Sequence, residues 1–558
     1  MRNWLSRRNF LQSASAALSS RSMGQFAILH GLQAKIELSK DHLAAVNRRR
    51  RIVVQEDPVL SDPLKPGISF EQWRDYLFNY ADEHGSQIDT FFWDLGSDDW
   101  AIYKSKVLPP SEIPIVKRWR EQGIDFVRLL IEECRKRKIE AFWNQRTSEV
   151  DMPANGVGLG MDSMNPVKKA HPDWVIRSWW WQGLWNLSNP DARQYRLQVL
   201  QDLAANYEFD GIQLDFARHV PCLPPGRQWE LRDGVTDHVR NVRLMLLELE
   251  KKRGRPYLLA VRVPESLRGC HVDGFDVEVW AQENLVDIFT LGERSSEVNL
   301  AEFRRIVAGK NIKLQPCLDD HHATDGYRSP PVEFFCGVFG NWWQQGADSV
   351  VTFNWSCASP EVATAIGAKP GPLCQRQGYH CIGSSETLRH KDKLFTVQRR
   401  GGYPWAEGYF CRNDFASLPV LLANEGTPMA LTIAIGDPLH ADAAKDIELA
   451  CIFYGASEGD RLEVTLNGVT LNHGVQNFEW KDAQIFTPKP QPASGGGPYE
   501  IDPNQHLMKL TFKPNSAQFR LGRNDVSVRI LDRVAYKPGA NIQLEKLEVA
   551  VKYQEAIL

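Results

Sequence analysis

Carboxylic acids that could hydrolyse a bond follow several short apolar runs of the chain. Asp215 lies near the end of the run Gly211–Phe216, and Glu265 and Asp319 follow two later runs. Cleavage of a glycosidic bond uses two carboxyl groups: one protonates the leaving oxygen, and the other attacks the anomeric carbon or activates water. Asp215 and Glu265 are therefore our first candidate pair, and Asp319 or Asp320 is a substitute for either.

Further polar and aromatic side chains follow the same runs and are candidates for substrate binding. Arginines can bind hydroxyls, a carboxylate or a sulfate, and they also lower the pKa of a neighbouring carboxyl, which favours a nucleophile over an acid. A tryptophan ring can stack on a sugar, but packing in the core is an equally good interpretation. The candidates are Trp93, Asp94, Asn144, Arg146, Arg218, Arg262, Glu293, Asp320, His321, Asn354 and Trp355.

The run Asp319–His322 could also bind a metal ion, which would indicate a different kind of hydrolase. Neighbouring residues of an extended segment point to opposite sides, so a metal would need further ligands from other strands. The first strand offers no HxH motif, and the ten cysteines show no CxxC spacing. We therefore predict neither a metal site nor a cofactor, and we assign hydrogen bonding or substrate contact to this run.

Eight β-rich runs alternate with helical runs between residues 51 and 356, as in βα units with a parallel sheet. An open, doubly wound sheet is the structural alternative, but it would bind a nucleotide at a Gly-rich first turn, and the chain has no GxGxxG or P-loop motif. We predict an α/β fold, a (β/α)8 TIM barrel, with its active site at the carboxyl ends of the strands. The runs are Ile52–Gln55, Ile88–Leu95, Ile139–Gln145, Gly211–Phe216, Leu258–Val263, Val286–Leu291, Ile312–Leu318 and Ser349–Trp355.

Alternation along the fourth run separates its two aspartates. Gln213 and Asp215 share one face of the strand, and the apolar residues between and after them share the other face, which should pack on helices. Asp215 therefore points into the barrel, near its active end. Asp210 lies at the beginning of the strand, where a structural role is expected. The alternative for Asp215 is a structural ion pair with Arg218.

The βα pattern ends after residue 356. Residues 361–425 show no clear period, and from residue 426 short strands separated by turns dominate. Alternation in stretches such as LEVTLNG indicates half-buried strands, which predicts a β-sandwich. The predicted segments are a signal or disordered segment at 1–40, the barrel at 51–360, an irregular connection at 361–425 and a β-sandwich accessory domain at 426–558.

The N-terminus has the features of a targeting segment. The run Ser6–Gln12, SRRNFLQ, resembles the twin-arginine export signal S-R-R-x-F-L-K and departs from it only at the last position. The resemblance predicts export from a bacterial cytoplasm to the periplasm or the medium; a basic, disordered N-terminus is the alternative. A net charge of −3 gives no indication of a nucleic-acid partner, and no apolar run is long enough for a membrane span.

Three motifs in chain order are similar to the glycosyl-hydrolase-like 10 family. They are HPDW at 171–174, LSNPDAR at 187–193 and FDGIQLDFAR at 209–218, against family patterns of roughly HPxWL, LNPxxPxVR and DGIxFDxxRYP. This chain continues with His219-Val220-Pro221, so the end of the third pattern is loosened. The resemblance covers about residues 51–356 and implies a barrel that acts on glycosidic bonds.

Two functions follow as hypotheses. The first is an exported glycoside hydrolase that cleaves a polysaccharide or oligosaccharide with a carboxylate pair. The second is a carbohydrate-binding protein on a degenerate barrel, in which one of the two carboxylates is missing or held in ion pairs. A carbohydrate is the expected partner in both, and the sequence does not indicate an oligomeric state.

Overall fold

A computed structural model describes residues 36–58, 60, 64–95, 99–148, 164–178, 183–292, 295–319, 327, 330–355, 357–399, 416–442, 444–485, 501, 503–534 and 541–553. The run Ser6–Gln12 lies outside the described residues. So do three of the candidate binding residues, Glu293, Asp320 and His321.

Eight parallel strands form a closed barrel in which each strand pairs with the next and the eighth pairs with the first. This confirms the predicted fold, and every strand begins and ends within two residues of its prediction. The strands are β1 (Ile52–Glu56), β2 (Ile88–Trp93), β3 (Glu140–Arg146), β4 (Gly211–Asp215), β5 (Leu258–Val263), β6 (Ile288–Leu291), β7 (Lys313–Asp319) and β8 (Val350–Phe353).

Helices cover the outside of the barrel. The start of α6 illustrates how the sequence sets a boundary: the Asn189 side chain accepts hydrogen bonds from two backbone amides of the first turn, and Pro190 occupies the first helical position. The helices are α1 (Lys40–Val46), α2 (Phe70–Phe78), α3 (Pro114–Glu121), α4 (Phe126–Lys136), α5 (Pro166–Ala170), α6 (Pro190–Asn206), α7 (Arg232–Arg253), α8 (Leu267–Asp273), α9 (Val277–Gln282), α10 (Leu300–Ile306), α11 (Val332–Gln344), α12 (Pro360–Ile366), α13 (Leu373–Gly378) and α14 (Ser385–Leu388).

An apolar layer fills the interior of the barrel. Phe92, Phe142 and Phe353 are fully buried there among smaller apolar side chains from the other strands. Gly211, part of the third motif, faces the Phe142 ring so closely that a Cβ atom would overlap it. The glycine of that motif is therefore required by packing, because any side chain would displace the ring.

The C-terminal part is a β-sandwich of two antiparallel sheets that share one apolar core, as predicted. One sheet has the order β9-β18-β12-β16-β15, with β10 beside β18, and the other has the order β11-β17-β13-β14. The strands are β9 (Lys393–Thr396), β10 (Val420–Leu421), β11 (Met429–Ile435), β12 (Asp446–Tyr454), β13 (Arg461–Leu466), β14 (Val469–Thr470), β15 (Val475–Asn477), β16 (Leu507–Phe512), β17 (Gly522–Asp532) and β18 (Gln543–Lys552).

The strand β9 belongs to the stretch in which the sequence showed no period. It joins the sandwich at the edge of a sheet, where Phe395 pairs with Val549, and it also packs against α11 of the barrel. A Cβ atom on Gly337 of α11 would overlap the Leu394 carbonyl, so this glycine permits the close approach of helix and strand.

Candidate active site

A layer of polar side chains lies in the barrel above the apolar layer. Gln213 is its centre: its Nε2 donates to Gln55 Oε1 at 3.0 Å and to Asn144 Oδ1 at 2.7 Å, and its Oε1 accepts from Thr290 Oγ1 at 2.8 Å. These side chains come from β1, β3, β4 and β6 and are buried. Because each amide is held by partners from other strands, the layer forms a rigid support for the carboxyl end of β4.

Asp215 stands on this layer and is saturated with hydrogen-bond donors. Its oxygens accept from Arg262 Nε at 2.9 Å and Nη2 at 2.7 Å, from the Gln55 and Asn144 amides, and from the backbone amides of residues 217 and 218. Burial acts to raise the pKa of Asp215, but Arg262 and Arg218 outweigh it, so the pKa lies below its ordinary value. Asp215 is therefore a carboxylate, not a proton donor.

The ion-pair partner of Asp215 is Arg262 of β5. This corrects the expectation that a structural pair would involve Arg218, whose side chain instead contacts Asp57 at 2.8 Å through Nη2. Arg218 contributes to Asp215 through its backbone amide at 3.0 Å. The strand register explains why Arg262 takes the place expected for Arg218, since Arg262 lies directly beside Asp215 on the neighbouring strand.

Arg146 joins two further carboxylates at the same end of the barrel. Its Nη2 lies 2.8 Å from Asp57 Oδ2, and its Nε lies 2.8 Å from Asp94 Oδ1. Asp57 accepts from Arg218 as well, and its side chain is 24% exposed, whereas Asp94 is fully buried. One partly exposed and one buried carboxylate thus share a single guanidinium.

Asp94 differs electrostatically from Asp215. Burial raises its pKa to about 7, with Arg146 acting against the increase and Asp57 adding to it. Although Arg146 Nε is near, neither Asp94 oxygen accepts an aligned hydrogen bond from the residues that the structure describes. Asp94 therefore titrates near neutral pH and is protonated below it, which is a property of a general acid.

Asp319 and Asn354 lie at the carboxyl ends of β7 and β8. Asp319 is fully buried, and Asn354 Nδ2 donates to its Oδ2 at 3.4 Å. Arg218 and Arg262 both lie over the Phe353 ring of β8, at 4.7 and 4.2 Å from its centroid. Through this ring, the β7–β8 side of the barrel contacts Arg218 and Arg262.

The two candidate tryptophans do not present a ring to a sugar. Trp93 is fully buried and stacks on Phe91 at 4.6 Å, and Trp355 is fully buried against Phe335 of α11 at 4.4 Å. Both belong to the packing between strands and outer helices. Of the two interpretations that the sequence left open, the structure favours core packing over sugar stacking, because both rings are enclosed by these packing contacts.

Glu265 lies in a different environment from Asp215. It lines a cavity between the barrel and the sandwich, together with Glu297 and other residues, and the described lining includes no member of the Asp57, Asp94 and Asp215 network. The structure thus brings Asp94, Asn144, Arg146, Arg218 and Arg262 to Asp215.

Two further aspartates, Asp210 and Asp57, lie at opposite ends of the barrel strands. Asp210 accepts from the Ala141 amide and pairs with Arg255, which is the structural role predicted for it. Asp57 was missed, although it follows the first strand and meets the same criterion as the other candidates. Among the described residues, no group of three or more His, Cys, Asp or Glu side chains could hold a metal ion.

The first two motifs have structural roles. The His171 ring stacks on Trp174 at 3.9 Å, and Asn189 caps α6. Arg193 Nη1 donates to the Leu187 carbonyl at 2.7 Å, which fastens the segment before the helix. These motifs fix the connection between β3 and β4 and do not themselves provide a carboxylate to the network.

Comparison with known proteins gives one family match. Residues 72–223 match the model of the family described as Glycosyl hydrolase-like 10. The matched segment includes all three motifs but is shorter than the expected resemblance over residues 51–356. No curated protein matches the chain. Within the described residues, no helix is long and apolar enough to cross a membrane.

The chain is also similar to solved structures of carbohydrate-active enzymes. A cycloisomaltooligosaccharide glucanotransferase of Paenibacillus sp. has 11% identity and a TM-score of 0.35, with 90% of this chain and 57% of that chain covered. The PgaB (BpsB) glycoside hydrolase domain of Bordetella bronchiseptica has 12% identity and a TM-score of 0.37, with 60% and 99% covered. A GH27 β-L-arabinopyranosidase of Geobacillus stearothermophilus has 11% identity and a TM-score of 0.36, with 89% and 100% covered. At these values the similarities carry no argument about activity.

Proposed function

We propose that the chain is a glycoside hydrolase that cleaves a polysaccharide or oligosaccharide at the carboxyl end of its barrel. The family match over residues 72–223 supports a carbohydrate-active barrel. The observation that carries the proposal is the pair of carboxylates on Arg146: buried Asp94, with its pKa raised to about 7, and partly exposed Asp57. Two carboxyl groups in such different environments are what acid and base roles require.

In this proposal Asp94 protonates the leaving glycosidic oxygen. With a pKa of about 7, about half of the Asp94 side chains carry a proton at pH 7. Neither oxygen accepts an aligned hydrogen bond from the described residues, which leaves the carboxyl group for a substrate oxygen in this proposal. Asp57 is the carboxylate that either attacks the anomeric carbon or activates a water molecule, since it is the more exposed member of the pair. Asp215, first in our sequence-based pair, becomes a positioning residue that orients Arg262 and the Arg218 backbone.

The test compares Asp94→Asn and Asp57→Asn with wild type on a panel of neutral and charged glycans, with release of reducing ends as the readout. We expect each variant to lose about 10²–10⁴-fold in rate, the usual contribution of a positioned acid or base. Asp89→Asn is the matched control, because Asp89 lies at the other end of β2 in a partly exposed pair with Arg51. Full activity in both site variants would contradict the assignment.

A carbohydrate-binding protein without catalysis is the second candidate. The observation that favours it is that Asp215 accepts hydrogen bonds from six donor groups of the protein. A carboxylate held in this way is expected where it has a structural role and no catalytic one. It predicts that wild type binds glycans and releases no reducing ends. It also predicts that Asp94→Asn does not alter turnover, because none exists.

We also propose export through the twin-arginine route to the periplasm or the medium, on the basis of Arg7 and Arg8 in the run SRRNFLQ. A fusion of residues 1–40 to a reporter that folds before export should reach the periplasm of a bacterial host. Replacement of both arginines by lysine should retain it in the cytoplasm. Equal export of the two fusions would contradict this route.

A further inference from the structure

Asn354 has an unusual backbone conformation for a residue that follows a barrel strand. It comes directly after β8 and has a φ of 61°, in the left-handed region. The other described non-glycine residues with positive φ follow helices or lie in turns of the sandwich, and they are Lys138, Asn284, His390, Asn467 and His473. At a helix end or a turn this conformation is common. At the carboxyl end of a barrel strand, where active sites lie, it indicates a constraint with a functional role.

The left-handed conformation brings the Asn354 side chain to the inner side of the barrel. By alternation, residue 354 should share the outward face of Thr352, whose hydroxyl lies 3.1 Å from Tyr379 Oη at the end of α13. Instead, Asn354 Nδ2 donates to Asp319 Oδ2 at 3.4 Å. Asp319 lies beside Phe353 in the register of β7 and β8, and the Phe353 ring belongs to the interior of the barrel. Asn354 therefore contacts an inward-facing side chain, which a regular strand would not allow.

Asn354 also lies beside the proposed catalytic pair. Because β8 pairs with β1, and Asp57 follows β1, Asn354 and Asp57 stand at the ends of neighbouring strands. Arg218 contacts both strand ends, since its guanidinium lies over the Phe353 ring and its Nη2 contacts Asp57. Asp94 follows β2, the other neighbour of β1. The order around the rim of the barrel is therefore Asp94, Asp57, Asn354.

An amide held in this position is suited to a sugar hydroxyl. Asn354 is partly exposed, as is Asp57, whereas Asp319 is fully buried. The bond to Asp319 uses one of the two Nδ2 protons and fixes the plane of the amide, and the amide oxygen can accept from a hydroxyl. A side chain that is already oriented in this way loses little conformational entropy when a ligand binds.

We infer that Asn354 binds the glycone, the sugar whose anomeric carbon is attacked, and contributes to the choice of that sugar. The inference rests on the proposed hydrolase. In such an enzyme the acid stands at the leaving oxygen and the second carboxylate stands at the anomeric carbon. Asn354 lies next to Asp57 on the side away from Asp94, so it faces the glycone and not the leaving group.

The test measures kcat/KM of the full chain on nitrophenyl and methylumbelliferyl glycosides of glucose, galactose, mannose, xylose and N-acetylglucosamine, in both anomeric forms. Asn354→Gly removes the amide and suits the left-handed backbone, so its thermal midpoint should not fall below that of wild type. Its kcat/KM should fall about tenfold, the usual effect of one lost hydrogen bond. The loss should be the same for both leaving groups of a given sugar.

Asn284→Gly is the matched control. Asn284 is also partly exposed and has a φ of 57°, but it precedes the amino end of β6, so this variant should keep the kinetics of wild type. Asn354→Asp is the second site variant and serves if Asn354→Gly does not fold. It keeps the shape of the side chain and tolerates the same φ, but it loses the Nδ2 donor and places a carboxylate beside Asp319, so its kcat/KM should also fall.

Three results overturn the inference and leave the hydrolase intact: wild-type kcat/KM in Asn354→Gly, a loss that differs between the two leaving groups, or an equal loss in Asn284→Gly. If wild type cleaves none of the glycosides, the same compounds are titrated by calorimetry. Binding that weakens about tenfold in Asn354→Gly then refutes hydrolysis and supports the sugar contact. Binding that is absent in wild type, or unchanged in Asn354→Gly, overturns both.

Discussion

Replacement of Glu56 by glutamine should make the protein less sensitive to alkaline pH. Glu56 ends β1 on the side that faces the helices, is 2% exposed, and accepts a 2.6 Å hydrogen bond from the Tyr80 hydroxyl. Burial raises its pKa to about 8. A glutamine has the same shape, carries no charge at any pH, and retains an oxygen that can accept from Tyr80.

The direction and size of the effect follow from the pKa. The folded state holds the Glu56 proton to a higher pH than the unfolded state, so its contribution to stability decreases as the pH rises from 4.5 to about 8. At about 1.4 kcal/mol per pKa unit, the full loss across this window is on the order of 5 kcal/mol. The Gln variant lacks this loss, so its advantage over wild type grows through the window and becomes constant above pH 8.

Urea unfolding of wild type and Glu56→Gln, followed by tryptophan fluorescence between pH 5 and 8.5, measures the difference. The comparison cancels other groups that titrate in this range, such as Asp94. Glu121→Gln, at an exposed position of α3, is the control and should follow wild type. Parallel stability curves for wild type and Glu56→Gln would refute the reasoning, because they would mean that Glu56 is not kept protonated by the fold.

The remaining predictions concern the site and the domain junction. Arg262→Met leaves Asp215 as a buried charge without its partner and should cost about 3–5 kcal/mol in the free energy of unfolding, measured by urea denaturation; an unchanged midpoint would contradict the ion pair. If the chain hydrolyses a glycan, the rate of hydrolysis should fall as the pH rises through about 7. The residual activity of Asp94→Asn should not show this decrease. A decrease that persists in the variant would mean that another group supplies the proton. Gly337→Ala should destabilise the contact of α11 with β9 by about 1–3 kcal/mol, whereas Gly340→Ala, where a Cβ atom meets nothing closer than 3.5 Å, should be tolerated; equal thermal midpoints would contradict the close approach.

The sequence predicted the barrel well because its strands are local features. Runs of apolar residues covered on both faces are visible in short windows, and helix starts such as Asn189-Pro190 have their own signals. Alternation also separated Gln213 and Asp215 from the outward side of β4. The strand β9 was missed, because it is short, belongs to a stretch without a period, and is held by pairing with a strand about 150 residues later.

The candidate site was predicted only as a set of residue types at the carboxyl ends of strands. Asn144, Arg262 and the Arg218 amide bond to Asp215 directly, and Arg146 and Asp94 are linked to it through Asp57 and Arg218, since strand ends of one barrel converge. Trp93 and Trp355 lie in the core. Alternation along a strand predicts the face from which a side chain projects, but it does not predict how an aromatic ring packs there. Glu265 lines the cavity beside the sandwich, and its catalytic role stays a prediction.

By itself, the amino-acid sequence determined the βα alternation, the order of strands, the capped helix starts and the inward direction of Asp215, because each depends on neighbouring residues. Only the tertiary structure decided that Arg262 pairs with Asp215, that Arg146 joins Asp57 to Asp94, and that Asp94 keeps its proton to about pH 7. Proton affinity depends on burial and on charges from other strands, and those neighbours come together only when the barrel closes.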